Sequence, residues 1–137
     1  MTRQDDSRKP DRMKRDMNLI RSLQLLIEEQ GSDTNRWIDP IVVEGYTEQQ
    51  ISHHVWLLAD GGYIRAIDLS TASGSCYRPR CLTWRGYELL GDIRDRDVWE
   101  STLSIAKRGG VASVAAIAEI AKRLAQRKLE QLLVLPS

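Results

Sequence analysis

From Met13 onward, apolar positions recur at helical spacing. Met13, Met17, Ile20, Leu23 and Ile27 fall at three- and four-residue steps, and Leu19 and Leu26 widen the stripe. The pattern predicts an amphipathic helix that ends at Glu28-Glu29-Gln30, with Gly31 as a left-handed C-cap. Trp37, Ile38, Ile41, Val42 and Val43 make a short β-like run, which Pro40 confines to an edge strand or an extended loop. Thr47-x-x-Gln50 is a capping box with Tyr46 at the staple position, and it opens a helix reaching about Ala59. Ile51, Val55 and Leu58 form that helix's inner edge, with His54 and Leu57 alongside. Gln49, Ser52, His53, Trp56 and Asp60 read as one stripe on the opposite side. Gly61-Gly62 ends the helix.

Residues 63–69 and 77–84 are strand-like and flank a small-residue turn around Gly74, the pattern of a β-hairpin with a loose tip. Thr83 caps the next helix, whose inward positions are Tyr87, Leu90 and Ile93. Asp97-x-x-Glu100 restarts it after a bend. Gly109-Gly110 breaks the chain again. Residues 112–133 form a last helix lined by Val114, Ile117, Ala121 and Leu124. Helix, short strand, helix, hairpin, helix is the order of an α+β winged-helix-like domain, here residues 13–95. Residues 1–12 read as an N-terminal extension and 96–137 as a helical C-terminal extension. One element of that fold is absent. Only about sixteen residues separate the first helix from Thr47, and they are not helical by pattern, so the scaffold helix of a helix-turn-helix is lost or shrunk to a turn.

The 137 residues are 42% apolar and 28% charged, which excludes a disordered chain and leaves no need for a disulfide or metal staple. No apolar run approaches the ~20 residues of a membrane span. The charged N-terminus has no apolar core of a secretory signal, so a cytoplasmic setting with reduced Cys76 and Cys81 is expected. Net charge is only +1 but unevenly placed: +3 over residues 1–15, −6 over 16–60, +2 over 61–90, −2 over 91–106 and +4 over 107–137. An anionic partner would meet the first, third or fifth block.

The stripe Gln49, Ser52, His53, Trp56 lies where a winged helix presents its recognition helix, and Gln and Ser can read base edges. That helix nevertheless carries no Lys or Arg and sits in the −6 block, whereas phosphate contacts need cations. The same stripe therefore also reads as a solvated or protein-facing surface. Trp56 is either an interface anchor or folds back onto the hairpin or the last helix. Arg65, Arg78, Arg80 and Arg85 surround the hairpin and, with Lys14 and Arg15, can make one cationic patch. They can equally be surface arginines near Asp68 and Glu88.

His53, His54, Cys76 and Cys81 lack zinc-ligand spacing, although the two cysteines can face one another across the hairpin. The chain has no Gly-rich phosphate loop, nucleophile elbow or His-Glu-x-x-His run, so no catalytic residue, metal or cofactor is expected. The alanines 112, 115, 116, 118 and 121 permit close helix approach. The last helix is expected either to form a homodimer through residues 111–133 or to fold back on Met17, Ile20 and Ile27.

Four motifs fall in order: residues 13–21 (Met-Lys-Arg-Asp-Met-Asn-Leu-Ile-Arg), Glu44-Gly45-Tyr46, residues 53–58 (His-His-Val-Trp-Leu-Leu) and residues 82–86 (Leu-Thr-Trp-Arg-Gly). Together they resemble domain-of-unknown-function family 2513, short bacterial and phage proteins. The resemblance covers about residues 13–130. It implies Met13 as the usual start, a winged-helix-like core and a prophage or mobile-element setting, and it brings no activity, cofactor or catalytic residue. Two functions are expected from this: a DNA-binding regulator of a mobile element, or a protein-binding adaptor or inhibitor of a host or phage protein.

Overall fold

The computed structural model describes residues 15–31 and 36–134. Among them are five helices and one antiparallel hairpin, an α+β arrangement: α1 (Met17–Gln30), α2 (Glu48–Asp60), β1 (Ile64–Asp68), β2 (Tyr77–Leu82), α3 (Trp84–Ile93), α4 (Arg96–Gly109) and α5 (Val114–Val134). None of the described helices is long and apolar enough to cross a membrane. The N-terminal extension and Lys14 lie outside the described residues.

Helix α1 is the centre of the core. Leu19, Ile20, Leu23 and Ile27 are buried between α2, β2 and α3. It begins at Met17 because the Asp16 carboxylate accepts the backbone N–H groups of Asn18 and Leu19, at 3.0 and 3.2 Å. Gly31 is not a left-handed cap, as expected above; its φ of −70° and ψ of 159° are extended. Glycine is required there by close approach instead. A Cβ would lie 2.5 Å from the Ile27 carbonyl oxygen and 2.8 Å from that of Arg80.

The run after Trp37 forms no strand; it meets β2 at Ile38, whose N–H donates to the Pro79 carbonyl at 2.8 Å. The hairpin forms where expected, with one irregularity. Arg65 faces Cys81 and Ala66 faces Pro79, so Arg80 is the extra, bulged residue of β2. Cys81 thus opposes Arg65, and the Cys76 carbonyl accepts the Leu69 N–H, so the two cysteines do not face one another. Both are free thiols.

Three other local expectations change. Tyr87 points outward, and Leu89 takes its place beside Leu90 and Ile93 in the core. Asp95, not Asp97, caps α4, accepting the N–H groups of Asp97 and Val98 at 2.8 and 3.1 Å. Helix α5 packs on α3 and α4 rather than on Met17, Ile20 and Ile27 of α1. There Ile117 and Ala121 are buried within the chain, while Ala112 and Ala115 stay exposed, so the alanines do not form one stripe open to a second copy.

Candidate functional site

Helix α2 is fixed at its start by both halves of the capping box. The Gln50 N–H donates to Thr47 Oγ1 at 3.1 Å, and the Thr47 N–H donates to Gln50 Oε1 at 2.8 Å. Ile51, Val55 and Leu58 bury its inner side against α1 and the hairpin.

His54 is buried with them, and both its ring nitrogens are engaged. Nε2 accepts the Asp16 backbone N–H at 2.8 Å, and Nδ1 lies 2.7 Å from the Gln50 carbonyl oxygen. A backbone N–H can only donate, so Nε2 is bare and the proton sits on Nδ1: the ring is neutral. Burial holds its pKa below the ordinary 6.5, with the Gln50 carbonyl opposing that shift and the neighbouring His53 adding to it. The Tyr46 hydroxyl donates to the second Asp16 carboxylate oxygen at 2.9 Å. Tyr46, Asp16 and His54 therefore tie the start of α1 to α2. A cleft of about 610 Å³ opens beside them, lined by Arg15, Asn18, Gln50 and Leu103 among others. This clasp escapes sequence inspection because Asp16 and His54 are 38 positions apart.

The outer side of α2 carries Gln49, His53, Trp56 and Asp60. Gln49 and Asp60 are exposed, His53 is half-buried, and Trp56 is 39% exposed. The His53 and Trp56 rings stack with centroids 6.0 Å apart and planes 21° apart. Trp56 therefore stays at the surface, stacked on its helix neighbour His53. Ser52 is a correction to the expected stripe. It sits on the flank of the helix, is buried, and its Oγ accepts the Tyr77 N–H at 2.9 Å. It serves the α2–hairpin junction and cannot read a partner.

The hairpin arginines do not form one free cationic patch. Arg78 is 12% exposed, and its Nε donates to Asp39 at 3.1 Å. Arg85 lies 4.5 Å over the Tyr63 ring and donates to the Gly61 carbonyl at 2.8 Å. Arg80 is half-buried on the β2 bulge. Arg15 donates to the Ala112 carbonyl. Arg65 is exposed on β1. Glu44, Glu48 and Asp60 are exposed along and beside α2, so its outer face lies among negative charge. Sequence reading also missed Trp84, which is 79% exposed at the start of α3, because the tryptophan looks like a core residue until its position in the turn is known.

Comparison with known proteins adds the family. A family model described as "Hypothetical protein (DUF2513)" matches residues 14–112, spanning α1 to α4 and ending just before α5. An "Uncharacterized protein" of Haemophilus influenzae (strain Rd) is 36% identical over 118 residues, covering 85% of this chain and 99% of that protein. No solved structure matches.

Proposed function

The chain belongs to the DUF2513 family, and from this premise we propose that it is a non-catalytic, winged-helix-like module whose α2 outer face docks another protein. The observation that carries this reading is Trp56, 39% exposed and stacked on half-buried His53, on a helix without a Lys or Arg. Tryptophan is one of the residues enriched among protein-interface hot spots. Duplex DNA needs phosphate-neutralising cations. Arg78 and Arg85, two of the arginines nearest the hairpin, are instead engaged inside the chain. His54, which lines the cleft beside the start of α1, spends both nitrogens on backbone groups, which suits a structural part and not a general base.

The proposal is tested by placing a photo-crosslinking phenylalanine analogue at position 56 in the native host. The expected result is a discrete protein adduct, absent when the same group replaces exposed Ser104 on α4. Adducts with nucleic acid alone, or equal adducts from both positions, contradict it.

A second reading, a DNA-binding regulator of a mobile element, is favoured by one specific observation: exposed Arg65 on the strand that follows α2. There the recognition helix would enter the groove and the hairpin would touch the backbone. A homodimer through residues 111–133 is a further proposal. Its contact would shift toward exposed Leu129, Leu132 and Leu133 at the end of α5. A concentration-independent mass near 15.6 kDa in light scattering removes it.

A further inference from the structure

No residue of α5 beyond Ala121 is buried, and every residue from Leu129 to Val134 is exposed. Leu129, Leu132, Leu133 and Val134 are among them, the least open at 56% and the most open at 77%. A helix draws most of its stability in a protein from packing an apolar face, so a leucine-rich end solvated all round lacks a covering surface. Open apolar patches of this kind mark contacts with another molecule. Within the chain α5 packs on α3 and α4, and these leucines cover no part of their own α2.

The end of α5 and the outer side of α2 match in spacing. On α5, Lys122, Gln126, Leu129 and Leu133 are all exposed and advance by four, three and four positions. On α2, Gln49, His53, Trp56 and Asp60 advance by the same steps. Such steps hold four side chains on one helix face over about 16 Å. Laid antiparallel, the two faces bring Lys122 against Asp60 and set Leu129 over the stacked His53 and Trp56 rings. The parallel alignment instead sets the Asp60 carboxylate against Leu133, which is unfavourable.

The charges agree with the antiparallel fit. Glu44, Glu48 and Asp60 are exposed along and beside α2, in the segment that carries −6, whereas α5 lies in the segment that carries +4. Lys122 and Asp60 join no ion pair within the chain among the described residues. The Lys122 charge reaches Asp92 only far enough to oppose the rise that burial gives that carboxyl's pKa.

We propose that the end of α5 in one copy of this chain docks on the α2 outer face of a second copy, with Lys122, Leu129 and Leu133 meeting Asp60, Trp56 and Gln49. The inference rests on the reading of α2 as a protein-docking face, and it identifies the docked protein as the chain itself. The two surfaces differ, so every copy offers both halves of the contact. Exchanged mutually they close a pair, and passed in one direction they build a chain of copies.

The test is light scattering of the full chain with a charge swap. The parent's mass is expected to rise above 15.6 kDa between about 10 μM and about 1 mM, and to rise less at about 500 mM salt. Asp60→Lys and Lys122→Glu are each expected to weaken association about tenfold. Their equimolar mixture is expected to restore it, because each reversed charge then meets its opposite. Leu133→Asp, at an open position, is expected to weaken association as much while leaving the thermal midpoint unchanged. A second measurement needs no substitution on α5. A ¹⁵N-labelled chain with the photo-crosslinking phenylalanine analogue at position 56, mixed with unlabelled parent, is expected to give mixed-isotope adducts within residues 126–134.

A mass fixed at 15.6 kDa up to about 1 mM, with no mixed-isotope adduct, overturns the inference. If position 56 then still captures a different protein in the host, the docking reading of α2 stands; if it captures none, both fall. Association that Asp60→Lys leaves unchanged also overturns it and makes the contact a pairing of α5 with α5. Mixed-isotope adducts confined to residues outside α5 overturn it as well.

Discussion

The two sides of α2 are made of similar residue types and do opposite work. The inner side holds a histidine and the flank a serine, and both are consumed by the fold: His54 takes the Asp16 N–H and Ser52 takes the Tyr77 N–H. The outer side holds a histidine and a tryptophan that stack on one another and reach solvent. The lesson is that a polar or aromatic side chain becomes available to a partner only after the backbone's own hydrogen-bond demands are met. On α2 those demands arise from α1 and from the hairpin, so they fall on the inner side and the flank.

The contrast can be broken most forcefully at Leu58, which is fully buried on the inner side. Leu58→Ala is expected to cost about 2–5 kcal/mol in chemical denaturation, because the surrounding α1 and hairpin residues cannot close the cavity. A loss below ~1 kcal/mol would mean that the inner side is not core.

Acid is expected to act next. Only neutral His54 can accept the Asp16 N–H, and its folded pKa lies below the ordinary 6.5. The unfolded chain therefore binds the proton more readily, so stability is complete above about 6.5 and declines as pH falls through the lower folded value. Burial drives that decline; the Gln50 carbonyl and Asp16 oppose it, and His53 and Arg15 add to it. Denaturation midpoints between pH 7.5 and 5 are expected to fall steadily in the parent and to flatten in His54→Gln. An identical slope in both would remove His54 from this role.

Ser52→Ala is expected to be milder, about 1 kcal/mol, since it leaves the Tyr77 N–H without its acceptor. Mildest is Trp56→Ala. It removes the stack on His53 and partly exposed surface, so its thermal midpoint should move by the equivalent of about 1 kcal/mol or less. The protein adduct formed at that face should nevertheless disappear.

Local signals made much of this visible in the sequence. Thr47 and Gln50 are three residues apart, so their box is legible, and Thr83 three residues before Gly86 is legible in the same way. The hairpin follows from Gly61-Gly62, the Gly74 turn and the strand-like runs on either side. What failed depends on distant partners. Ser52 falls on the outward stripe by helical spacing alone, because its acceptor role is settled by Tyr77, 25 positions later. Arg78 and Arg85 looked free because Asp39 and the Gly61 carbonyl are brought to them only by folding. Gly31 resembled a left-handed cap, yet its glycine is demanded by the Arg80 carbonyl, which no local pattern announces. The family resemblance, in contrast, could be seen in the motifs themselves, and the match over residues 14–112 supports it.

The most direct measurement is a mobility shift of random duplex DNA by the full chain at about 50 mM and about 200 mM salt. If α2 docks a protein, no retarded band forms at either salt, and Arg65→Ala behaves like the parent. A band at the lower salt that fades steeply at the higher one, and weakens further in Arg65→Ala, would contradict that reading and make the α2 face a DNA-reading surface.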